Sequence, residues 1–195
     1  MLFRSNRTCA VDTEGGVFCW GDNDAGQLGN NSNTDSSVPV ALDTTSIDTV
    51  TFTQVSVGET HTCALTSDGA VYCWGDNYAG QLGNGLSTPS LVPVAVSTAG
   101  VLAEQTVTQI SAGRTHTCAL TSDGQVVCWG SNRGPLGEAL GQLGNGSSLD
   151  SAVPVSASDA GPLAGRRVVQ VSVGGDHSCA LAANSLLACW GAGAA

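Results

Sequence analysis

The chain is poor in positive charge: six basic residues stand against sixteen acidic ones in 195, a net charge of −10. Non-specific nucleic-acid binding is driven by lysines and arginines that displace counterions from phosphates, so this composition argues against a nucleic-acid partner. The acidity suits solubility and names no partner by itself. No hydrophobic run is long enough to cross a bilayer, and no signal-peptide pattern is visible. Helical periodicity is convincing nowhere. No serine or cysteine has surroundings that would activate it, so a nucleophilic triad finds no support.

What the chain does have is a repeat. A cysteine is followed ten residues later by another, with Trp-Gly directly after, four times: Cys9/Cys19, Cys63/Cys73, Cys118/Cys128 and Cys179/Cys189. These pairs use all eight cysteines, and the first members are spaced by 54, 55 and 61 residues. Such periods signal an array of supersecondary units. Between paired cysteines, Ser67-Asp68-Gly69 and Ser122-Asp123-Gly124 suit a three-residue hairpin loop whose last residue is left-handed. That turn sets the register: Leu65 faces Val71, Ala64 faces Tyr72, and Cys63 faces Cys73. Alternation then puts Cys63, Leu65, Val71 and Cys73 on one side of the sheet. The other copies give the same face, down to Cys179, Leu181, Leu187 and Cys189 in the last. Directly opposed cysteines lie within disulfide range, and local pairing is expected in every copy.

Two further strands complete the unit. Val55–Val57, Ile110–Ala112 and Val171–Val173 alternate apolar residues with serine. Val38-Pro-Val40, Val92-Pro-Val94 and Val153-Pro-Val155 carry a proline that cannot donate to a ladder, which predicts an outer edge strand. Four short strands per unit, with glycine-rich turns, describe a β-propeller blade.

The run from Ser56-x-Gly58-x-x-His61 through Ala64-Leu65, Asp68-Gly69, Cys73-Trp-Gly-x-Asn77 and Gly80-Gln-Leu-Gly83 resembles the repeat of the regulator of chromosome condensation (RCC1) family. The resemblance implies an all-β fold: a β-propeller of four-stranded antiparallel blades, usually seven, of which this chain supplies a partial propeller of about four. It also implies a wide functional range, covering guanine-nucleotide exchange, ubiquitin-ligase modules, light signalling and a secreted inhibitor of β-lactamases. Chromatin-associated members rely on a basic tail, and this chain has none.

The expected units are a partial blade over 1–53 lacking its first strand, complete blades over 54–108 and 109–169, and a partial blade over 170–195 lacking its last. The missing pieces do not complement each other, which makes the chain a fragment of a longer propeller whose other blades are partners. Arg4 stands where other copies have glycine and Arg7 where they have histidine. Cysteines paired by register point to an oxidising, extracellular or cell-surface setting; each closed loop contributes roughly 2–3 kcal/mol. Reduced thiols packed as small hydrophobes are the alternative.

Potential chemistry resolves into structural roles. His61, His116 and His177 occupy equivalent places on successive blades, which favours a hydrogen bond to a neighbouring turn over metal binding or catalysis. The nine residues between paired cysteines do not match zinc spacing. Asp22-Asn23-Asp24 lacks the bidentate glutamate of a calcium loop and reads as an Asx turn. Trp20, Trp74, Trp129 and Trp190 read as inter-blade packing, and Gly-Gln-Leu-Gly as a turn. No metal, cofactor or catalytic residue is expected.

One feature breaks the repeat. Where the second copy has Tyr78-Ala79, the third has residues 133–140, six residues longer. Insertions confined to one blade map to surface loops that often bind, so Arg133, Pro135, Leu136 and Glu138 form the candidate binding loop. The expected function is a non-enzymatic interaction module that engages a protein through its loop faces. The alternatives are a guanine-nucleotide exchange factor or an accessory propeller of a larger secreted enzyme.

Overall fold

The computed structural model describes residues 6–157 and 161–193; Arg4 lies outside the described residues. Among those described, four antiparallel sheets follow one another along the chain. The first is β1 (Arg7–Val11), β2 (Val17–Gly21) and β3 (Ser36–Ala41). The second is β4 (Phe52–Val57), β5 (His61–Thr66), β6 (Val71–Gly75) and β7 (Ser90–Ala95). The third is β8 (Val107–Ala112), β9 (His116–Thr121), β10 (Val126–Gly130) and β11 (Ser151–Ser156). The fourth is β12 (Val168–Val173), β13 (His177–Ala182) and β14 (Leu187–Gly191). Strands lie in chain order within each sheet, the meander of a propeller blade.

The hairpin register is the one the turn dictates. Cys63 lies opposite Cys73 and Leu65 opposite Val71, with the same pairing at Cys9/Cys19, Cys118/Cys128 and Cys179/Cys189. All four pairs are disulfide-bonded. The turn glycines Gly15, Gly69 and Gly124 have φ of 86°, 89° and 88°, a conformation that side-chain-bearing residues adopt only with strain.

The innermost strands start three residues earlier than the sequence alternation suggests. Each contains a register shift, between Phe52 and Gln54, Val107 and Gln109, and Val168 and Gln170. A bulge inserts a residue and breaks the period of two, which hides the first half of the strand from a pattern search. The proline-bearing strands β3, β7 and β11 pair on one side only, as outer edges should. Their serines blunt the edge further: Ser36, Ser90 and Ser151 Oγ donate to Val38, Val92 and Val153 O at 2.7 Å.

The core lies between blades. The cysteine face of the second sheet (Cys63, Leu65, Val71, Cys73) packs on Ile110, Ala119, Val127 and Trp129 of the third. Cys118, Leu120, Val126 and Cys128 pack in the same way on Val171 and Ala180 of the fourth. Val17 and Cys19 pack on Phe52, Ala64 and Trp74. A blade's cysteine face is covered only because it has a following neighbour, so stability here is a property of the seams.

The four cysteine pairs share one register and differ in what covers them. Cys19, Cys73 and Cys128 are completely buried, whereas Cys189 is exposed. Its disulfide to Cys179 is formed in the same register. What differs is the environment: no following blade lies against the cysteine face of the fourth sheet among the described residues. Leu187, on the same face, is 63% exposed for the same reason. Among the described residues, the other three pairs are parts of inter-blade cores, and Cys179–Cys189 has no following sheet against it.

The inner edges are closed by side chains. Gln54 takes both backbone groups of Ile110, accepting from its N–H at 3.1 Å and donating to its carbonyl at 2.9 Å. Ser56 accepts from Ala112 N at 2.9 Å. One blade further on, Gln109 and Ser111 accept from Val171 N and Val173 N. The serine alternation in these strands is therefore a ladder that satisfies the next strand's unpaired edge.

Candidate interaction surface

Most of the conspicuous residues are consumed by the seams. Trp74, Trp129 and Trp190 each donate Nε1–H to a carbonyl of the preceding blade, that of Gln27, Gln81 and Gln142, at 2.9–3.0 Å. These carbonyls belong to the Gly-Gln-Leu-Gly turns, whose leucines Leu28, Leu82 and Leu143 are completely buried. The turn is thus the socket for the next blade's tryptophan. Trp74 and Trp129 are fully buried, whereas Trp20 and Trp190 are half-buried.

The histidines bind a strand hydroxyl on the next blade, where a turn contact was expected. His61 Nε2 lies 2.7 Å from Thr117 Oγ1, and His116 Nε2 lies 3.0 Å from Ser178 Oγ. Ser178 Oγ–H is committed to Gln142 O at 2.9 Å, so His116 must donate and carries its proton on Nε2. Its Nδ1 is buried without a hydrogen-bond partner, as is that of His61. Burial pushes both imidazoles down to about 3, helped by Arg7 and His116 at His61 and by His177 at His116. They are neutral structural pins. His177, with no further blade against it among the described residues, is exposed.

Arg7 replaces a histidine and does more than one. It is buried, and its guanidinium donates to Glu59 O at 2.7 Å, Gly58 O at 2.9 Å, His61 O at 2.6 Å and Thr62 Oγ1 at 3.4 Å. Desolvation lowers it to about 10, opposed by Asp22 and Glu59, and it remains a cation. Next to this hub Arg114 pairs with Glu59 at 3.5 Å and with Asp176, linking the Gly-x-x-His loops of three blades.

The loops after β2, β6 and β10 are each organised by one fully buried asparagine, Asn23, Asn77 or Asn132. Its Oδ1 accepts from Leu28, Leu82 or Leu143 N at 2.9 Å. Asn77 Nδ2 donates to Leu86 O and Thr88 O, and Asn23 Nδ2 to Ser32 O and Thr34 O. The segment with a partial likeness to a calcium loop is thus a buried polar staple. Sequence reasoning missed this hub, although an asparagine fixed two residues after each of the first three Trp-Gly pairs was its signal.

The insertion folds as a small protrusion. Arg133 bridges Ala139, Gly134 N donates to Glu138 O at 2.9 Å, and Gly137 N donates to Gly134 O at 3.0 Å. Arg133 Nη1 closes on Gly137 O, and Glu138 Oε2 accepts from Leu136 N. Pro135 and Leu136 form the tip, with Leu136 94% exposed. In the shorter loops Gln27 and Gln81 Oε1 accept from Ala25 and Ala79 N. In the third copy Gln142 instead donates Nε2–H to Arg133 O, and its Oε1 is buried without a partner. A buried unsatisfied acceptor costs about 1–3 kcal/mol, so the insertion is held at the expense of local stability.

Comparison with known proteins places this arrangement among repeat propellers. The Regulator of chromosome condensation (RCC1) repeat matches residues 14–65, 68–120 and 123–181. The chain belongs to this family. Each matched repeat starts in one hairpin turn and ends in the next blade's hairpin, so one sequence repeat spans one seam. The chain is 34% identical over 189 residues to the ultraviolet-B receptor UVR8 of Arabidopsis thaliana, covering 97% of this chain and 40% of that protein. It is 29% identical to human E3 ubiquitin-protein ligase HERC2, covering 96% of this chain and 4% of the other. Among solved structures, human WBSCR16 superposes with a TM-score of 0.79 at 25% identity, covering 95% of this chain and 45% of that one. Prp20p of Saccharomyces cerevisiae, described with its binding properties to Gsp1p and histones, gives 0.77 at 27%, covering 95% and 43%. The chain spans less than half of each of these relatives.

Proposed function

We propose that this chain is a non-enzymatic interaction module: four successive blades of one propeller, divided at 53/54, 108/109 and 169/170, that bind a protein through their loop face. The observation that carries the reading is the insertion at residues 133–140, an apolar tip presented to solvent while Gln142 Oε1 beneath it goes unpaired. The histidines, cysteines and tryptophans of the internal seams are spent on packing, which supports binding over catalysis. Four disulfides support an extracellular or cell-surface setting.

A photo-crosslinking amino acid at Leu136 should capture one specific partner in the parent protein's own setting, and deletion of 134–139 should release it. Crosslinking to many unrelated proteins, or to none, defeats the reading. Mass analysis without reductant should find four local disulfides; eight free thiols in the native protein would move it to a reducing compartment.

A second reading, guanine-nucleotide exchange, is favoured by the similarity to Prp20p. It requires accelerated nucleotide release from a small GTPase, and no acceleration across a GTPase panel removes it. The reading as accessory propeller of a secreted enzyme is decided by the parent reading frame.

A further inference from the structure

The two ends of the sheets show different surfaces to water. Register places the Gly-x-x-His loops and the loops after β2, β6 and β10 at one end, and the hairpin turns and inter-blade linkers at the other. The turn end exposes carboxylates (Asp12, Glu14, Asp68, Glu104, Asp123) together with Arg166 and Arg167. Its turns and linkers carry one large exposed apolar side chain among the described residues, Val101. The loop end is acidic as well, exposing Asp24, Asp35, Glu138 and Asp150. It differs in carrying Tyr78, Leu86, Leu136 and Leu149, exposed by 80%, 57%, 94% and 63%.

These apolar groups lie on anchored loops. Gly85 N donates to Ala152 O at 2.8 Å, which lays the Tyr78–Leu86 loop against the start of β11, just after Leu149. The Leu86 carbonyl is held by Asn77, and the Leu136 N–H by Glu138. Side chains on pre-ordered loops lose little entropy on binding, which is how exposed apolar surface becomes affinity. The cations of this end are committed: Arg7 and Arg114 lie in hydrogen bonds and ion pairs, and the Arg133 guanidinium folds onto Gly137 O. The chain contains no lysine at all.

We infer that the loop face formed by Tyr78, Leu86, Leu136 and Leu149 docks a basic segment of a partner protein that also carries apolar side chains. This rests on the interaction reading above and names the partner's chemistry. Apolar anchors within a carboxylate rim attract a cationic, leucine-bearing segment and repel an acidic one. A second copy of this chain, itself strongly acidic and without lysine, is a poor occupant on the same grounds.

The test uses short synthetic peptides alternating lysine with leucine, lysine with serine, or glutamate with leucine, titrated into the chain and followed by calorimetry. The lysine–leucine peptide should bind at least about tenfold more tightly than either control, and more weakly as salt rises. Tyr78→Ala with Leu136→Gly should remove that advantage without altering the circular dichroism spectrum, while Val101→Ser at the turn end leaves it intact. Equal binding of the lysine–serine peptide, or indifference to the Tyr78/Leu136 pair, overturns the inference and leaves the interaction reading to the crosslinking experiment. A concentration-dependent dimer abolished by Leu136→Asp assigns the face to a second copy, and overturns it too.

Discussion

The seam between the first and second blades and the seam between the second and third close with different chemistry at the same position. At the later seam a neutral His61 makes one hydrogen bond to Thr117. At the earlier one a charged Arg7 gathers three carbonyls and a hydroxyl. The two share a geometry, a polar side chain on the first hairpin strand reaching the next blade beneath its Gly-x-x-His loop. The repeat keeps a reach and a satisfied set of backbone groups; the residue that supplies them can change. Arginine fits at the first seam because Asp22 and Glu59 offset part of its desolvation.

The comparison breaks hardest at the tryptophans. Trp129 is fully buried and donates to Gln81 O, whereas Trp20 is half-buried on the first blade. Trp129→Ala should cost about 3–5 kcal/mol through the cavity and the orphaned carbonyl. Trp20→Ala should cost well under half as much. Chemical denaturation of the two variants measures the difference, and equal losses would mean that the seams do not carry the stability.

Arg7 comes next. Arg7→Ala leaves Gly58 O, Glu59 O and His61 O without the guanidinium and should cost about 2–3 kcal/mol. Arg7→His should recover part of this by reaching Thr62, as His61 reaches Thr117. If it recovers nothing, the two seams are not variants of one device.

Acid sharpens the contrast by acting on the histidine seams alone. His61 and His116 are held near 3 in the folded chain, against an ordinary value of 6.5. The unfolded chain therefore takes up protons below about 6.5 that the folded chain refuses. Their stabilisation is complete above that value and declines as pH falls toward 3, by about 1.4 kcal/mol per histidine for each pH unit. Unfolding free energies between pH 7 and 4 for the wild type, His61→Gln and His116→Gln isolate these slopes. An unchanged slope in either variant would show that its imidazole is not held neutral.

The parts of this architecture written in the sequence are those with fixed spacing and a strong local rule. Cysteine spacing and the Asp-Gly turn set the hairpin register, and the prolines marked the outer edge. What stayed hidden depends on backbone groups and on neighbours, which no residue letter reports. The carbonyls of Gln27, Gln81 and Gln142 receive the tryptophans, and in the sequence Gly-Gln-Leu-Gly is only a turn. Bulges at Thr53, Thr108 and Val169 erased the alternation of the inner strands. The role of Arg7 was invisible because its partners are carbonyls more than 50 residues away. On the candidate surface, the length of the insertion marked residues 133–140. Tyr78, Leu86 and Leu149 carried no mark, since an exposed apolar residue looks like a buried one until the fold is known.

The smallest effect comes from the hairpin turns. In the first three, the left-handed position is glycine, and a Cβ there would meet Thr51 Cγ2, Thr106 Cγ2 or Arg167 Cγ at 2.4–2.5 Å, because the next blade's linker presses on the turn. In the fourth turn the position is Ser185, with φ of 67° and no following linker against it among the described residues. Two demands on the residue, backbone conformation and space, thus separate between the inner turns and this one. Gly69→Ala meets both and should cost more than the roughly 1 kcal/mol of backbone strain alone. Ser185→Gly relieves only the backbone, and part of that gain is lost to the freer unfolded chain, so it should raise stability by about 0.5 kcal/mol. Paired melting curves decide it: a Ser185→Gly gain as large as the Gly69→Ala loss would mean that the linkers do not press on the turns, and that inner and outer blades differ less than their seams imply.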